Sequence, residues 1–555
     1  MVGLATLASL LLGADCVVLL AQSGIELLDV TKRSGITFQH SDGSYGKRQI
    51  IETVASGIAT FDYDLDGDLD IYFLSGASAS QSAVSVSATN RLYRNDGAWR
   101  FCDVTDRAGV GDSGHGLGAA IADFDNDGYP DIYLANFGEN ILFRNHGDGT
   151  FTNISDEAGV GGGHKLSAGV SFLDADVDGD LDLYVANYVR FTDGMLPPLF
   201  IDGFARYRSP KDFEPEPDMY FRNNGDGSFS DATVEAGLGG YAGTGMGTIC
   251  FDFDEDGDND IVVLNDVRPN YLFSNDGTGR FEEVGLLSGT AYSLDGKALG
   301  SMGVDCGDYD NDGHLDLFQT SFSQELPLLL RNTGGGLFDD VTRTTGVGRQ
   351  LFPHVNWGTC FADFDNDQWL DLFVANGHLQ DNVELYDDTT SYRTPNSVLR
   401  NNGDGSFSDV SRQAGAGLLT FGSSRGAACE DFDGDGRVDV VVLNSRETPT
   451  LLCNASKSTC RWLKLRLVAI EGNRDSVGSC VSIRTGDLTQ TRCVHSGRGY
   501  QGHWGSQLHF GLAQFSSVDE VSVTWPSGRN EVFFNVPVER NVKIVEGRGL
   551  FELTK

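Results

Sequence analysis

Seven copies of one aspartate spacing, D-x-D-x-D-x-x-x-D, dominate the chain, and an apolar run follows each at once. Their carboxylates are Asp62, Asp64, Asp66 and Asp70; Asp123, Asp125, Asp127 and Asp131; Asp174, Asp176, Asp178 and Asp182; and Asp252, Asp254, Asp256 and Asp260. The remaining three copies hold Asp308, Asp310, Asp312 and Asp316; Asp363, Asp365, Asp367 and Asp371; and Asp431, Asp433, Asp435 and Asp439. Positions 1, 3, 5 and 9, with the carbonyl of position 7, can converge on one cation where glycine at position 6 permits a sharp reversal. All-oxygen ligation of flexible number selects a hard cation, and Ca2+ is the expected cofactor. The spacing matches the first half of an EF-hand loop, but the Glu at position 12 is absent, Asp at position 9 replaces it, and a strand follows. One such stretch reads equally well as an Asp/Gly-rich turn; seven read as calcium sites. In the sixth, Gln368 replaces the glycine, so its turn is expected to be strained or differently shaped and its site the weakest.

The elements that hold these loops recur with them. A glycine stands five residues before each first aspartate: Gly57, Gly118, Gly169, Gly247, Gly303, Gly358 and Gly426. Between loops runs a second repeated text, as in LFRNHGDGTFTNISDEAGV (142–160) and YFRNNGDGSFSDATVEAGL (220–238), whose Asn/Asp-Gly cores are hairpin signals. Each unit thus supplies about four short strands, and seven such units predict an all-β fold, a seven-bladed β-propeller over 25–454. The glycines suit innermost strands, where blades crowd. The opening LLDVT (27–31) has no hairpin of its own before it, so it is expected to complete a sheet with strands from the far end. Residues 461–550 read as a small C-terminal β-sandwich-like domain of seven strand-like runs parted by turns. Its HFGL and WPSG runs read as strand and turn structure or as a ligand surface.

Composition narrows the partners. Among 555 residues, 80 Asp+Glu against 40 Lys+Arg give a formal charge of −40, which argues against nucleic acid and anionic membrane surfaces. Residues 1–21 form an apolar run broken by Asp15, read as a signal peptide cut after Ala21, with a retained anchor as the rival; no other segment is apolar enough to span a bilayer, so none is expected in the mature chain. Ten cysteines support an oxidising compartment weakly. Cys453 with Cys460, and Cys480 with Cys493, are placed to bridge, whereas Cys250, Cys306, Cys360 and Cys429 read as buried thiols. Asn153 and Asn454 stand in glycosylation sequons.

The aspartate loops resemble FG-GAP/VCBS-type propeller repeats. The C-terminal residues Trp462-Leu463-Lys464-Leu465, Gly472-Asn473-Arg474-Asp475, Gly499-Tyr500, His509-Phe510-Gly511-Leu512 and Trp525-Pro526-Ser527-Gly528 resemble the ASPIC/UnbV domain. The combination is similar to the cartilage acidic protein family, which implies an extracellular or periplasmic calcium-binding protein without established catalysis. Ser476 departs from the glycine usual there, and His503-Trp504 lie in a stretch that does not align.

No G-x-S-x-G or H-E-x-x-H motif is present, and the ten histidines are scattered, so no catalytic residue is assigned. Two long insertions, 188–218 and 376–396, are either caps on the propeller or ligand-binding loops, with Arg206, Tyr207, Arg208 and His378 the ligand candidates. Two functions stay open. One is a secreted or periplasmic, non-catalytic binding or adhesion scaffold with an extracellular protein or glycan as partner. The other is an extracellular hydrolase or lyase acting on a polysaccharide-like polymer.

Overall fold

The computed structural model describes residues 24–55, 57–78 and 88–553; the apolar run 1–21 lies outside the described residues. Each of the seven repeats contributes a four-stranded antiparallel unit; five of these are separate sheets, and the second and third join into one eight-stranded sheet where Lys165 and Leu166 pair with Gly138 and Phe137. The first holds Ile58–Phe61, Asp70–Phe73, Arg91–Asn95 and Phe101–Asp103, and the next five follow the same order. The seventh takes Ser424–Glu430, Asp439–Asn444 and Thr450–Asn454 from the end of the ring and Leu27–Asp29 from its start, with Leu27 opposite Asn454. The closure expected of LLDVT is therefore made. Inner strands such as Gly245–Phe251 and second strands such as Asp260–Asn265 are buried along their whole length, because each sheet is sandwiched between two others; apolar runs rather than alternation are the result.

Two sequence features fix the ring. Successive inner strands touch one another, and the seventh touches the first. A Cβ added at Gly57, Gly118, Gly169, Gly247, Gly303 or Gly358 would lie under 3.0 Å from a backbone carbonyl of the next blade's inner strand. The second feature is the Asn of the R-N dipeptide. Asn145 Nδ2 donates to Pro130 O of its own loop (3.0 Å) and to Tyr63 O of the preceding blade (2.9 Å), while its Oδ1 accepts from Gly147 N. Asn95, Asn223, Asn275, Asn332, Asn401 and Asn454 likewise reach the preceding blade, Asn95 closing the ring onto Phe432 O. The hairpin reading of this motif missed the staple, since a contact across blades leaves no local spacing. It also corrects one reading: Asn454 is fully buried in its staple, so that sequon is closed to a glycan.

The C-terminal module is two four-stranded sheets, one holding Trp462–Val468 beside Asn541–Val545 and the other Cys480–Thr485 beside Ser517–Thr524. An eighth strand, Gly549–Glu552, joins the seven expected. Cys480 and Cys493 are bridged across one hairpin; Cys453 and Cys460 are not bridged to each other. Cys250, Cys306, Cys360 and Cys429 are buried free thiols.

Residues 495–505, which leave the sandwich after Cys493, thread the ring's axis and touch every blade. His503 N donates to Ile58 O and Thr60 N to His503 O; Ser496 Oγ reaches Ile121 O; Phe172 N reaches Ser496 O. His495 Nδ1 lies 3.0 Å from Cys250 O, Gly499 and Val304 exchange both backbone bonds, and Gly505 N reaches Glu430 Oε1. Tyr500 stacks edge-on against Trp357 of the sixth blade at 5.1 Å. Arg498 is ion-paired with fully buried Asp305.

Removing a staple strands three buried groups, so Asn145→Ala is expected to cost about 2–4 kcal/mol of stability. Chemical denaturation of the full chain checks this, with Glu157→Ala on the exposed face of the same blade staying within about 0.5 kcal/mol.

Candidate metal centre

Each aspartate loop joins the first strand of a blade to the second, so all seven open on one end of the ring. Their backbone is built by the carboxylates themselves. At position 1, Oδ2 accepts the amide of position 6 in every loop, from 2.8 Å at Asp123 to 3.2 Å at Asp308. At position 5, Oδ1 accepts the amide of position 7. At position 9, Oδ1 accepts the amide of the staple Asn, and in six loops Oδ2 accepts the amide of position 2. The expected EF-hand substitute at position 9 is thus also the bracket that ties loop to blade.

Other carboxylate oxygens are left over. Buried Oδ1 atoms of Asp62, Asp64, Asp123, Asp174, Asp176, Asp254, Asp310 and Asp365 have no hydrogen-bond partner. In Asp62-Asp64-Asp66, Asp123-Asp125-Asp127 and Asp174-Asp176-Asp178 one oxygen from each residue lies within 4.8 Å of the others; in the fourth and fifth loops the groups are Asp252-Asp254-Asp260 and Asp308-Asp310-Asp316. Orphaned hard oxygens converging at this separation fit Ca2+. Burial pushes Asp62 up to about 6, and Asp174 and Asp308 up to about 7; Asp123 reaches about 7 through burial and then its neighbour Asp475.

The reversal needs two left-handed residues per loop. Position 6 has φ +97° at Gly67 and +88° at Gln368, and position 4 has φ +56° at Val177. Gln368 therefore keeps the turn of its glycine counterparts under strain, rather than a different one. Its N–H still meets Asp363 Oδ2 at 2.8 Å, and its Nε2 donates to Thr485 Oγ1 of the C-terminal module at 2.6 Å.

That module lies over the loops. Lys464 Nζ is 2.6 Å from Asp431 Oδ2, with both side chains buried, and Arg466 Nη1 is 3.4 Å from Asp62 Oδ2. Asp475, from the Gly-Asn-Arg-Asp run, accepts Asp123 N at 2.6 Å, and His509 Nε2 lies 3.1 Å from Gly436 O. Nothing in the loop spacing announces these partners; the resemblance alone flagged their segments.

The insertions join second to third strands and so lie at the opposite end. Tyr207 is buried: its N–H meets Gln380 Oε1, its hydroxyl bonds Glu52 Oε2, and Arg446 Nη2 donates to that hydroxyl. His378 is buried too, its Nδ1 accepting Gln380 N, and burial holds it down at about 4. Arg206 lies over the Tyr386 ring and Arg208 donates to Pro197 O at 2.8 Å. The structure thus brings the two insertions together, but Tyr207 and His378 are not presented to solvent, because Tyr207 packs against Glu52 and Arg446 and His378 lies edge-on to Phe322 at 5.9 Å.

Comparisons with known proteins place these parts. The model of the FG-GAP-like repeat matches residues 62–134, 123–185, 252–319 and 386–442, and that of ASPIC and UnbV matches 469–550. Cartilage acidic protein 1 of Homo sapiens is 25% identical over 518 residues, 90% of this chain and 71% of that protein; the Mus musculus protein is 25% identical over 493 residues, covering 85% and 70%. Among solved structures, a lectin of Agrocybe aegerita that recognises terminal N-acetylglucosamine aligns with TM-score 0.37 at 18% identity, over 64% of this chain and 79% of that one. The rhamnogalacturonan lyase YesW aligns with TM-score 0.37 at 14% identity, over 72% and 71%. Likeness at this level carries no inference about function.

Two outcomes test the loops. A raised folded-state carboxyl pKa means the native state holds the extra protons, so the metal-free fold loses stability as pH rises from about 4 through about 7. Melts in chelator should therefore fall across that window, while melts in millimolar Ca2+ should not. Lys464→Met should lower the metal-free melting temperature by stranding Asp431, and enlarge the stabilisation gained on adding Ca2+, because no ammonium then competes for Asp431 Oδ2; differential scanning calorimetry reads both. The chain thus carries FG-GAP-like repeats in the ring and an ASPIC and UnbV module seated on its axis, and it is similar along most of its length to cartilage acidic protein 1.

Proposed function

We propose that the protein is a secreted, calcium-stabilised binding scaffold without catalytic chemistry of its own. The observation that carries this is the convergence of carboxylate oxygens in the first five loops, with buried orphaned oxygens in the first six, and their placement is structural: the loops sit between ring and cap and their carboxylates help to build the backbone. Calcium there supplies compensating charge. The chain's own residues fix the loops, staple the blades and seat the C-terminal module.

The ligand surface is assigned to the insertions at the other end, where Phe200 is 64% and Leu385 65% exposed beside Arg206 and Arg208. The partner is an extracellular protein or glycan. Of the two readings the sequence leaves open, binding is favoured over polymer hydrolysis or lysis because the candidate acid–base groups Tyr207 and His378 are engaged in packing. Secretion agrees with the bridged Cys480–Cys493 pair and with the similarity to cartilage acidic protein 1.

A site of Kd about 10⁻⁴ M contributes about 1.4 kcal/mol at millimolar Ca2+, so seven approach ~10 kcal/mol, comparable to a domain's net stability. Melting of the full chain in Ca2+ and in chelator should differ by many degrees; superimposable curves sink the calcium reading. On a glycan and extracellular-protein array, the calcium-loaded chain should bind at least one probe, and Arg206→Ala with Arg208→Ala should weaken that binding without moving the calcium-loaded melt. Turnover of a polymer, abolished by one loop substitution, would establish the enzyme instead.

A further inference from the structure

A cleft of about 320 Å3 opens where the first and second aspartate loops meet the C-terminal module, with Arg466, Arg474 and Lys543 along one wall. A second, of about 350 Å3, shares Arg474 and Lys543 and adds Arg548. Arg466 and Lys543 are register partners on adjacent parallel strands, an arrangement in which like charges repel. Burial, then Arg466 and Arg474, holds Lys543 below the usual lysine range. Among the described residues neither Arg474 nor Lys543 has an ion-pair partner, and the one carboxylate paired with Arg466 is Asp62, a calcium-loop ligand. In a chain of formal charge −40, three cations are thus gathered at an electrostatic penalty, and the carboxylates lining the same cleft are Asp62, Asp66 and Asp123 of the loops and Asp475, which accepts Asp123 N. Calcium in the first and second loops would take up Asp62, Asp66 and Asp123, leaving Asp475 against the three cations and the cleft positive.

We infer that this cleft binds the acid group of an anionic saccharide, its carboxylate or sulfate held by Arg466, Arg474 and Lys543. Guanidinium and ammonium donors on one wall match the oxygens of such a group. A volume at the low end of ligand pockets holds a sugar ring rather than a bare ion. Asn541, whose Oδ1 is buried without a partner, stands beside Lys543 to meet ring hydroxyls. The site rests on the binding-protein reading but lies at the end of the ring away from the insertions, so Arg206→Ala and Arg208→Ala should leave it intact.

Isothermal titration of the full chain in 2 mM Ca2+ tests this with a glucuronate-containing disaccharide, its sulfated counterpart and sodium sulfate, at matched ionic strength. At least one disaccharide should bind, its affinity falling tenfold or more in Arg474→Ala and in Lys543→Ala, and falling as NaCl is raised. Both variants should keep the calcium-loaded melting temperature, Lys543→Ala slightly raising it; if either alanine variant melts early, Arg474→Gln and Lys543→Met replace them. No binding by either disaccharide, or equal binding to wild type and variants, overturns the site. Binding of sulfate alone overturns the saccharide and leaves a free-anion site. Loss of binding in these variants alongside superimposable melts in Ca2+ and chelator would separate this cleft from the calcium reading.

Discussion

Clustered carboxylates that are taken out of water need a cation, and that constraint organises the molecule. At the 4.8 Å limit found within these groups, two carboxylates repel by about 3.5 kcal/mol at an effective dielectric of 20. Three pairs in one loop exceed the gain from the loop's own hydrogen bonds, each worth about 1 kcal/mol. Protonation, an imported ammonium or a bound divalent ion must therefore balance each loop. Lys464 at Asp431 and Arg466 at Asp62 show the second solution in place, and the orphaned oxygens of Asp64, Asp176, Asp254, Asp310 and Asp365 call for the third.

Because those loops lie on one end of the ring, the module that covers them is coupled to their charge state. The sandwich and the propeller are not two bodies on a linker. Residues 495–505 bond to inner strands around the axis, and Arg498 brings its guanidinium to Asp305 inside it. A propeller's axis is a common place for a ligand; here the chain occupies it. The clefts that remain open lie at the rim between cap and loops, and the insertions form the surface of the opposite end.

The insertions show how a scaffold spends its long loops. Tyr207 crosses from one insertion to Gln380 of the other and to Glu52 near the first blade, and Arg446 ties that hydroxyl to Asp381. The polar network is buried and fixes the loops, while the apolar side chains Phe200 and Leu385 face outward. Presentation and anchoring are divided between neighbouring residues of the same segment, and residue type alone does not say which has which duty.

The repeat, by itself, determined the strands, their number per unit, the closure by Leu27–Asp29 and which carboxylates are brought together in each loop, because each follows from contacts near in sequence or from a period repeated seven times. It also marked the crowding glycines, since a missing side chain at a fixed offset is legible in one dimension. Tertiary structure alone decided the rest. The Asn95-to-Phe432 staple, the Thr485 anchor of Gln368, the burial of Asn454, Tyr207 and His378, and the passage of the unaligned His503-Trp504 stretch through the axis join residues far apart in sequence. A hydrogen bond across blades is fixed by where the ring places two backbones, and no spacing along the chain encodes that distance.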